Sequence, residues 1–138
     1  MSSDLEAAEE FRAAIGDFVR RVRAHDRIPP GQAAVLGHLD RRGTTLSIAE
    51  LARLEQIKHQ SMTRTVGLLG EQGLVTLAPH EHDRRQVVVE ATDAGRAVLG
   101  AERARRAALI DQALRDSLTA EELAVLARVP AILRRVSI

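Results

Sequence analysis

The chain has 138 residues, of which 45% are hydrophobic, 28% charged and 1% aromatic, with a formal net charge of +1 and no cysteine. That length supports one domain burying about two-thirds of its unfolded surface, and the apolar content excludes a disordered chain. Without cysteine there is no disulfide and no thiolate metal site, and with Phe11 and Phe18 as the only aromatics the core must be aliphatic, which favours helices over a large sheet.

Residues 4–26 set Leu5, Ala8, Phe11, Ile15, Phe18, Val19 and Val22 at three- and four-residue spacing between Arg and Glu, the pattern of an amphipathic helix. The opening Met-Ser-Ser-Asp-Leu-Glu is acidic and lacks an apolar run, so it does not read as a secretory signal, and a cytoplasmic protein is expected. No stretch approaches the roughly 20 apolar residues that span a bilayer, so no membrane partner is expected. Pro29-Pro30-Gly31 ends the first helix, and Pro30 suits the first turn of the next. That helix runs through Ala34, Val35, Leu36 and Leu39 to Arg42-Gly43, and His38 beside its apolar face reads as a partly buried structural histidine.

Ser47-Ile48-Ala49-Glu50 is a capping box: the Ser47 hydroxyl can accept the N–H three residues on while Glu50 reaches back. Leu51, Ala52 and Leu54 form the apolar side of the helix it opens, and Glu55-Gln56 carry the turn that follows. On the next helix Met62, Val66 and Leu69 fall on one side, leaving Gln60, Arg64, Gly67 and Glu71 opposite, with Ser61 and Thr63 flanking. Gln, Ser, Thr and Arg at the front of such a helix match base edges in a major groove, since Arg pairs with guanine and Gln with adenine through two bonds each. Gly67 lets the backbone come near the phosphates, and Gly73 suits a C-terminal cap. Leu74–Leu77 and Gln86–Ala91 are β-branched, apolar runs around a polar loop, which reads as a hairpin. Its tip carries Arg84 and Arg85, placed for sugar-phosphate or minor-groove contact. Helix, turn, helix and hairpin make residues 30–92 a winged helix-turn-helix, in a fold that is mainly α with a small β-hairpin.

Thr92 caps a long helix, with Asp93 in its first turn suiting the helix dipole; continuing to about Asp116, it would be roughly 36 Å long. Thr119-Ala120-Glu121-Glu122 is a second capping box, opening a last helix with Leu123, Leu126, Val129 and Leu133, which Pro130 should kink or shorten. The helices at 4–26 and 93–138 carry more apolar stripe than the reading unit can cover. A symmetric homodimer, with these as dimerisation helices, is the simplest solution.

The run LARLEQIKHQSMTRTVGLLGEQGLV followed by HDRRQVVVEATDAG resembles the MarR family of bacterial transcriptional regulators, through Leu51, Ala52, Ile57, Thr63, Arg64, Val66, Leu69, Gly73, Leu74, Val75, Asp83, Arg84, Arg85, Thr92 and Gly95. The resemblance implies a homodimer on double-stranded DNA with recognition helices about 34 Å apart, and therefore a palindromic operator. It implies a DNA-binding set of His59, Gln60, Ser61, Thr63, Arg64 and Gly67 in the recognition helix, with Arg84 and Arg85 in the wing. It also implies a repressor released by a small lipophilic or phenolic effector bound between the dimer helices and the reading unit, for which the sequence names no residue. The chain departs from the family pattern at several positions. Lys58 and His59 replace a small polar N-cap and proline, so the cap must come from elsewhere or the helix begins later. Gly67 and Gly70 stand where longer polar residues are usual, Leu68 replaces a typical Arg, and Leu77 and Ala78 replace basic residues at the foot of the wing.

These changes leave a modest basic patch of Arg53, Lys58, Arg64, Arg84 and Arg85, opposed by Glu55, Glu71, Glu81 and Asp83. Net charge does not decide the matter, because a duplex needs only local positive charge. Tight binding would then need two copies. The low polarity of Gly67, Leu68, Gly70, Leu77 and Ala78 motivates an alternative, a winged-helix protein-interaction module without DNA binding. His80-x-His82 with Glu81 and Asp83 can bind a metal if the two imidazoles share a strand face, but a flexible tip is a poor site, and no metal is assigned. The glycines at 67, 70 and 73 lie in or at the end of a helix and form no phosphate loop. No Ser and His are spaced as a nucleophile–base pair, so no enzymatic activity, catalytic residue or cofactor is expected. The lack of cysteine also removes any thiol-oxidation switch.

Overall fold

The computed structural model describes residues 2–42 and 45–138. Its elements are α1 (Ser2–Arg23), α2 (Pro30–Arg42), β1 (Leu46–Ser47), α3 (Ile48–Glu55), α4 (His59–Glu71), β2 (Val75–Pro79), β3 (Val87–Ala91), α5 (Asp93–Ser117) and α6 (Ala120–Leu133). The chain divides into two compact units, one ending at Arg103 and the other beginning at Ala104, so the division falls within α5.

The first unit holds an aliphatic core. Val35 and Leu36 of α2, Leu51 of α3, Met62, Val66 and Leu69 of α4 and Val89 of β3 are all essentially removed from solvent. Each fully buried side chain of this size contributes about 1.5–3 kcal/mol, so three helices and the sheet are held by one shared set of contacts. The hairpin expected from the sequence is the larger part of a three-stranded antiparallel sheet ordered β1-β3-β2. The added strand, β1, pairs Leu46 with Val89 and Ser47 with Val88. Two residues are too short for a period to register, and their pairing spans some forty residues of sequence. β2 also runs further than its apolar stretch suggested, taking in Ala78 and Pro79 opposite Val88 and Val87. Pro79 is tolerated because it ends an edge strand.

Helix boundaries differ from the expectations in informative ways. Residues 24–26 leave α1 as a tight turn in which Ala24, His25 and Asp26 donate to Arg20, Val22 and Arg23 at 3.1, 3.1 and 3.0 Å. The next donor, Arg27 N–H, goes to the carboxylate of Glu102 at 3.1 Å. Glu102 is buried on the inner stripe of α5 with Gly95 and Leu99, and it fixes the α1–α2 connection. α2 begins at Pro30 as the sequence required, whereas its expected end at Gly43 lies outside the described residues. Its His38 is half-buried and reaches Glu55 at the end of α3, with Nε2 and Oε1 2.5 Å apart. The structural role expected of His38 is therefore a tie between α2 and the turn that follows α3.

Gly95 carries a requirement that side-chain patterning does not reveal. A Cβ placed on it would stand 2.1 Å from the Leu74 carbonyl oxygen, closer than nonbonded atoms approach. Thr92 stitches the same junction: its N–H donates to Leu74 O at 3.1 Å, its hydroxyl donates to Gly73 O at 2.7 Å, and its Oγ1 accepts Gly95 N–H at 3.0 Å. Thr92-x-x-Gly95 therefore joins the start of α5 to Gly73 and Leu74, just past the end of α4.

The second unit comprises the later part of α5 and α6. Thr119 forms the expected capping box, accepting Glu122 N–H at 3.2 Å while Glu122 accepts Thr119 N–H at 3.0 Å. Pro130 does not end α6, which continues to Leu133. Proline gives up its own N–H bond and crowds the carbonyl one turn earlier, but its own carbonyl still accepts Arg134 N–H at 3.1 Å, so the helix resumes beyond it. No residue of α6 is buried. In α1 of the first unit, Leu5 and Phe11 are likewise 70% and 51% exposed, so both helices keep apolar stripes that a single chain leaves open.

Candidate nucleic-acid interface

The turn between α3 and α4 is set by Gln56, which takes the left-handed conformation at φ 54°. Asn, Gly and similar residues adopt this region most readily, so Gln56 carries modest strain that its N–H bond to Arg53 O at 3.3 Å and that of Ile57 to Ala52 O at 3.1 Å help to hold. The Ser47 capping box is complete at the other end of α3: Ser47 Oγ accepts Glu50 N–H at 3.0 Å and Glu50 accepts Ser47 N–H at 3.2 Å. This short helix is thus locked at both ends before α4 begins.

α4 starts at His59 with Lys58 as its N-cap residue and no side-chain cap bond. The expectation of a cap from elsewhere, or of a later start, is corrected: the helix begins on time and goes uncapped. Its first-turn N–H groups lack an intrahelical partner, and they lie beside the residues expected to meet DNA. A Schellman closure ends the helix, with Gly73 at φ +73°, Gly73 N–H on Gly70 O at 3.0 Å and Leu74 N–H on Leu69 O at 3.0 Å.

With Met62, Val66 and Leu69 buried, rotation of α4 about its axis is fixed. His59, Gln60, Ser61, Thr63 and Arg64 are all exposed, and Gly67 is half-exposed with nothing within 4 Å of where a Cβ would stand. Thr63 differs from the rest in one respect: its hydroxyl donates to His59 O at 2.9 Å and its Oγ1 lies 3.4 Å from His59 Nδ1. In this geometry its donor is engaged within the helix, which leaves the hydroxyl oxygen to accept from a base edge.

Beyond β2, the wing tip spans residues 80–86. It closes through His80 N–H on Gln86 O at 2.9 Å and Gln86 N–H on Asp83 O at 3.0 Å. Asp83 organises the tip, since its Oδ1 accepts Arg85 N–H at 3.1 Å and Arg85 Nε at 3.2 Å. The Arg85 backbone N–H, and then its guanidinium, hold the Asp83 carboxyl below the usual carboxylate range. Arg84 and Arg85 are both exposed, but Arg85 shares its charge with Asp83. His80 and His82 lie in the loop rather than on a strand face, and His80 Nδ1 is taken by the N–H groups of His82 and Asp83 at 3.1 and 3.2 Å. That corrects the geometry on which metal binding would rest. Among the described residues no group of three or more His, Cys, Asp or Glu could hold a metal ion.

Sequence reasoning missed one contact within this surface. The Leu77 Cδ1 lies 2.9 Å from where a Cβ on Gly70 would stand, so the foot of the wing rests on the helix at its glycine. Two departures from the family pattern, seven residues apart in sequence, therefore meet. Past the end of α4, an open cleft of about 450 Å³ is lined by Arg27, Ile28, Pro29, Gln32, Gln72, Leu74 and Val98. It touches the α1–α2 connection, the C-cap of α4 and α5.

The MarR family model matches residues 28–86, from the end of the α1–α2 connection to the wing tip. The HTH-type transcriptional regulator Mb0904 of Mycobacterium bovis is 32% identical over 131 residues, covering 93% of this chain and 85% of that protein. The chain belongs to the MarR family. A putative transcriptional regulator from Pseudomonas aeruginosa has a solved structure matching with a TM-score of 0.84 at 27% identity, over 98% of this chain and 95% of that one. The transcriptional activatory protein BadR of Rhodopseudomonas palustris is 38% identical over 69 residues, 49% of this chain and 39% of that protein. MarR family regulators bind DNA and act as dimers, and they are regulators rather than enzymes. The protein is accordingly a helix-turn-helix transcriptional regulator, and among its described residues no helix is long and apolar enough to cross a membrane.

Proposed function

We propose that this MarR family regulator is a repressor that binds a palindromic operator as a homodimer and leaves it when a small lipophilic acid binds. The observation that carries this reading is the exposed row of Gln60, Ser61 and Arg64 on a helix whose opposite side is wholly buried. Arg64 and Gln60 read base edges, with His59, Ser61 and Thr63 alongside. Gly67 lets the helix backbone approach, while Arg84 and Arg85 hold the backbone or the minor groove. The open apolar stripes of α1 and α6 support the dimer, and two-fold symmetry then requires half-sites about 34 Å apart. Leu77 fits this reading better than that of an interaction module, because its side chain is used within the chain against Gly70.

Repression follows when such a dimer covers promoter DNA, and the position of the operator sets the sign. For the effector, the cleft past the end of α4 has Arg27 in its lining as the candidate partner of a carboxylate, with Ile28, Pro29, Leu74 and Val98 as the apolar wall. Because its lining joins Gln72 at the end of α4 to Val98 of α5, a ligand can favour one placement of α4 against α5. Operator affinity then falls by the ligand's differential affinity for the two states and by nothing more. The test is a gel shift and in vitro transcription on the DNA upstream of the protein's own gene, with and without salicylate as the probe acid. Binding that lowers transcription and is reversed by the acid agrees with the proposal. Binding that raises transcription refutes repression, and a parent indifferent to the acid, or an Arg27→Ala variant as responsive as the parent, refutes the effector site.

A further inference from the structure

Leu68 lies on the reading side of α4. It follows Gln60 and Arg64 at successive intervals of four residues, so the three side chains stand in one row. It is 42% exposed, while Val66 and Leu69 on either side of it in sequence are fully buried. Of the large apolar side chains of α4, Met62, Val66 and Leu69 are buried and Leu68 is the exposed one. Leu77, exposed to the same degree, already has a use, with its end laid over Gly70. At the level of Leu68, the adjoining Gly67 has no side chain, and open space surrounds the place where one would begin. No Gly67 side chain therefore screens Leu68 from a partner on this side.

The chemistry of the opposing surface narrows the target. A leucine end has no donor or acceptor, and the major-groove edges of the base pairs carry one apolar group, the C5 methyl of thymine. From Arg64 to Leu68 the helix rises about 6 Å, which is roughly two steps of 3.4 Å along a DNA strand. We propose that Leu68 is a specificity-determining residue that reads a thymine methyl in each half-site, within about two base pairs of the base contacted by Arg64. This inference rests on the proposed entry of the Gln60–Arg64 face into the major groove. It also gives the sparse charge of this surface a purpose: a cation at this position would strengthen binding to any sequence, whereas a methyl contact adds affinity only where thymine stands.

The probe is the set of duplexes enriched from a random pool by the full-length protein. Each thymine of a half-site is replaced in turn by deoxyuridine, which removes the C5 methyl, and binding is followed by fluorescence anisotropy. At one thymine per half-site the parent should lose about fourfold in affinity, the value of one buried methyl-sized group, and about 15-fold when both half-sites are changed. Leu68→Ala should bind the thymine duplex more weakly by a similar factor and should no longer distinguish thymine from deoxyuridine at that position. Its circular dichroism melt should match the parent, since the side chain lies outside the core. Leu68→Arg should also lose the distinction while steepening the dependence on salt by about one unit per subunit. If no deoxyuridine position affects the parent, or Leu68→Ala keeps the parent's sensitivity, the role of Leu68 is overturned while DNA reading by Arg64 stands. If the pool yields no enriched sequence, the reading face itself is overturned.

Discussion

Substituting Gly95 by alanine tests whether α5 and the end of the recognition helix meet as tightly as the structure requires. The new Cβ would stand 2.1 Å from Leu74 O and 3.0 Å from the Leu74 carbonyl carbon, and neither is the movable end of a side chain. Overpacking of this kind costs about 1–3 kcal/mol, sometimes more. Any shift that relieves it stretches the Thr92 bonds to Leu74 O and Gly73 O, now 3.1 and 2.7 Å, each contributing about 1 kcal/mol. Against this, alanine gains at most about 1 kcal/mol over glycine in a helix. The net expectation is a loss of about 2–4 kcal/mol, read in urea at fixed protomer concentration as a midpoint lower by roughly 1–2 M. Gly67→Ala is the control, because its Cβ meets nothing within 4 Å, and it should gain about 0.5–1 kcal/mol. A Gly95→Ala protein as stable as the parent would refute the close approach and the role given to Thr92-x-x-Gly95.

Other expectations concern the interface and its supports. Arg64→Ala should cost about 1–3 kcal/mol at one base position and relax the preference there, whereas Arg84→Ala should weaken all sequences alike and reduce the salt slope by about one per subunit; competition assays with single-base variants across salt concentrations separate the two. Ser47→Ala breaks the capping box and should lower stability by about 1 kcal/mol by thermal or urea unfolding. Asp83, with its pKa depressed by the Arg85 backbone N–H and guanidinium, contributes stability that is present above its ordinary value and lost as pH falls through the lower folded value. The Arg85 amide resonance should therefore hold its position at pH 5 and move only in stronger acid, whereas in Asp83→Asn it should already be displaced at neutral pH.

How far the sequence revealed this molecule depends on the range over which each feature is encoded. Both capping boxes and the Met62, Val66 and Leu69 stripe are local patterns within one or two helical turns, and they were readable as such. The closure at Gly73 was equally local. Features made by partners distant in the chain were not readable, namely β1 against β3 and Glu102 under the N–H of Arg27. Leu77 and Gly70 are only seven residues apart, but their contact depends on how β2 turns back after α4. In the interface, the exposed row of Gln60, Ser61 and Arg64 followed from helical period alone. The diversion of the Thr63 hydroxyl to His59 O did not, because serine and threonine choose between outward and backbone bonds through a rotamer that spacing does not specify.

Dimethyl sulfate protection of guanine N7 on the enriched duplex, compared between the parent and Arg64→Ala, tests the central claim most directly. If the outer side of α4 enters the major groove in a two-fold dimer, a guanine in each of two half-sites about one turn apart is protected by the parent and becomes reactive with Arg64→Ala. Protection confined to one side of the site, or a pattern unchanged by Arg64→Ala at saturating protein, would contradict it.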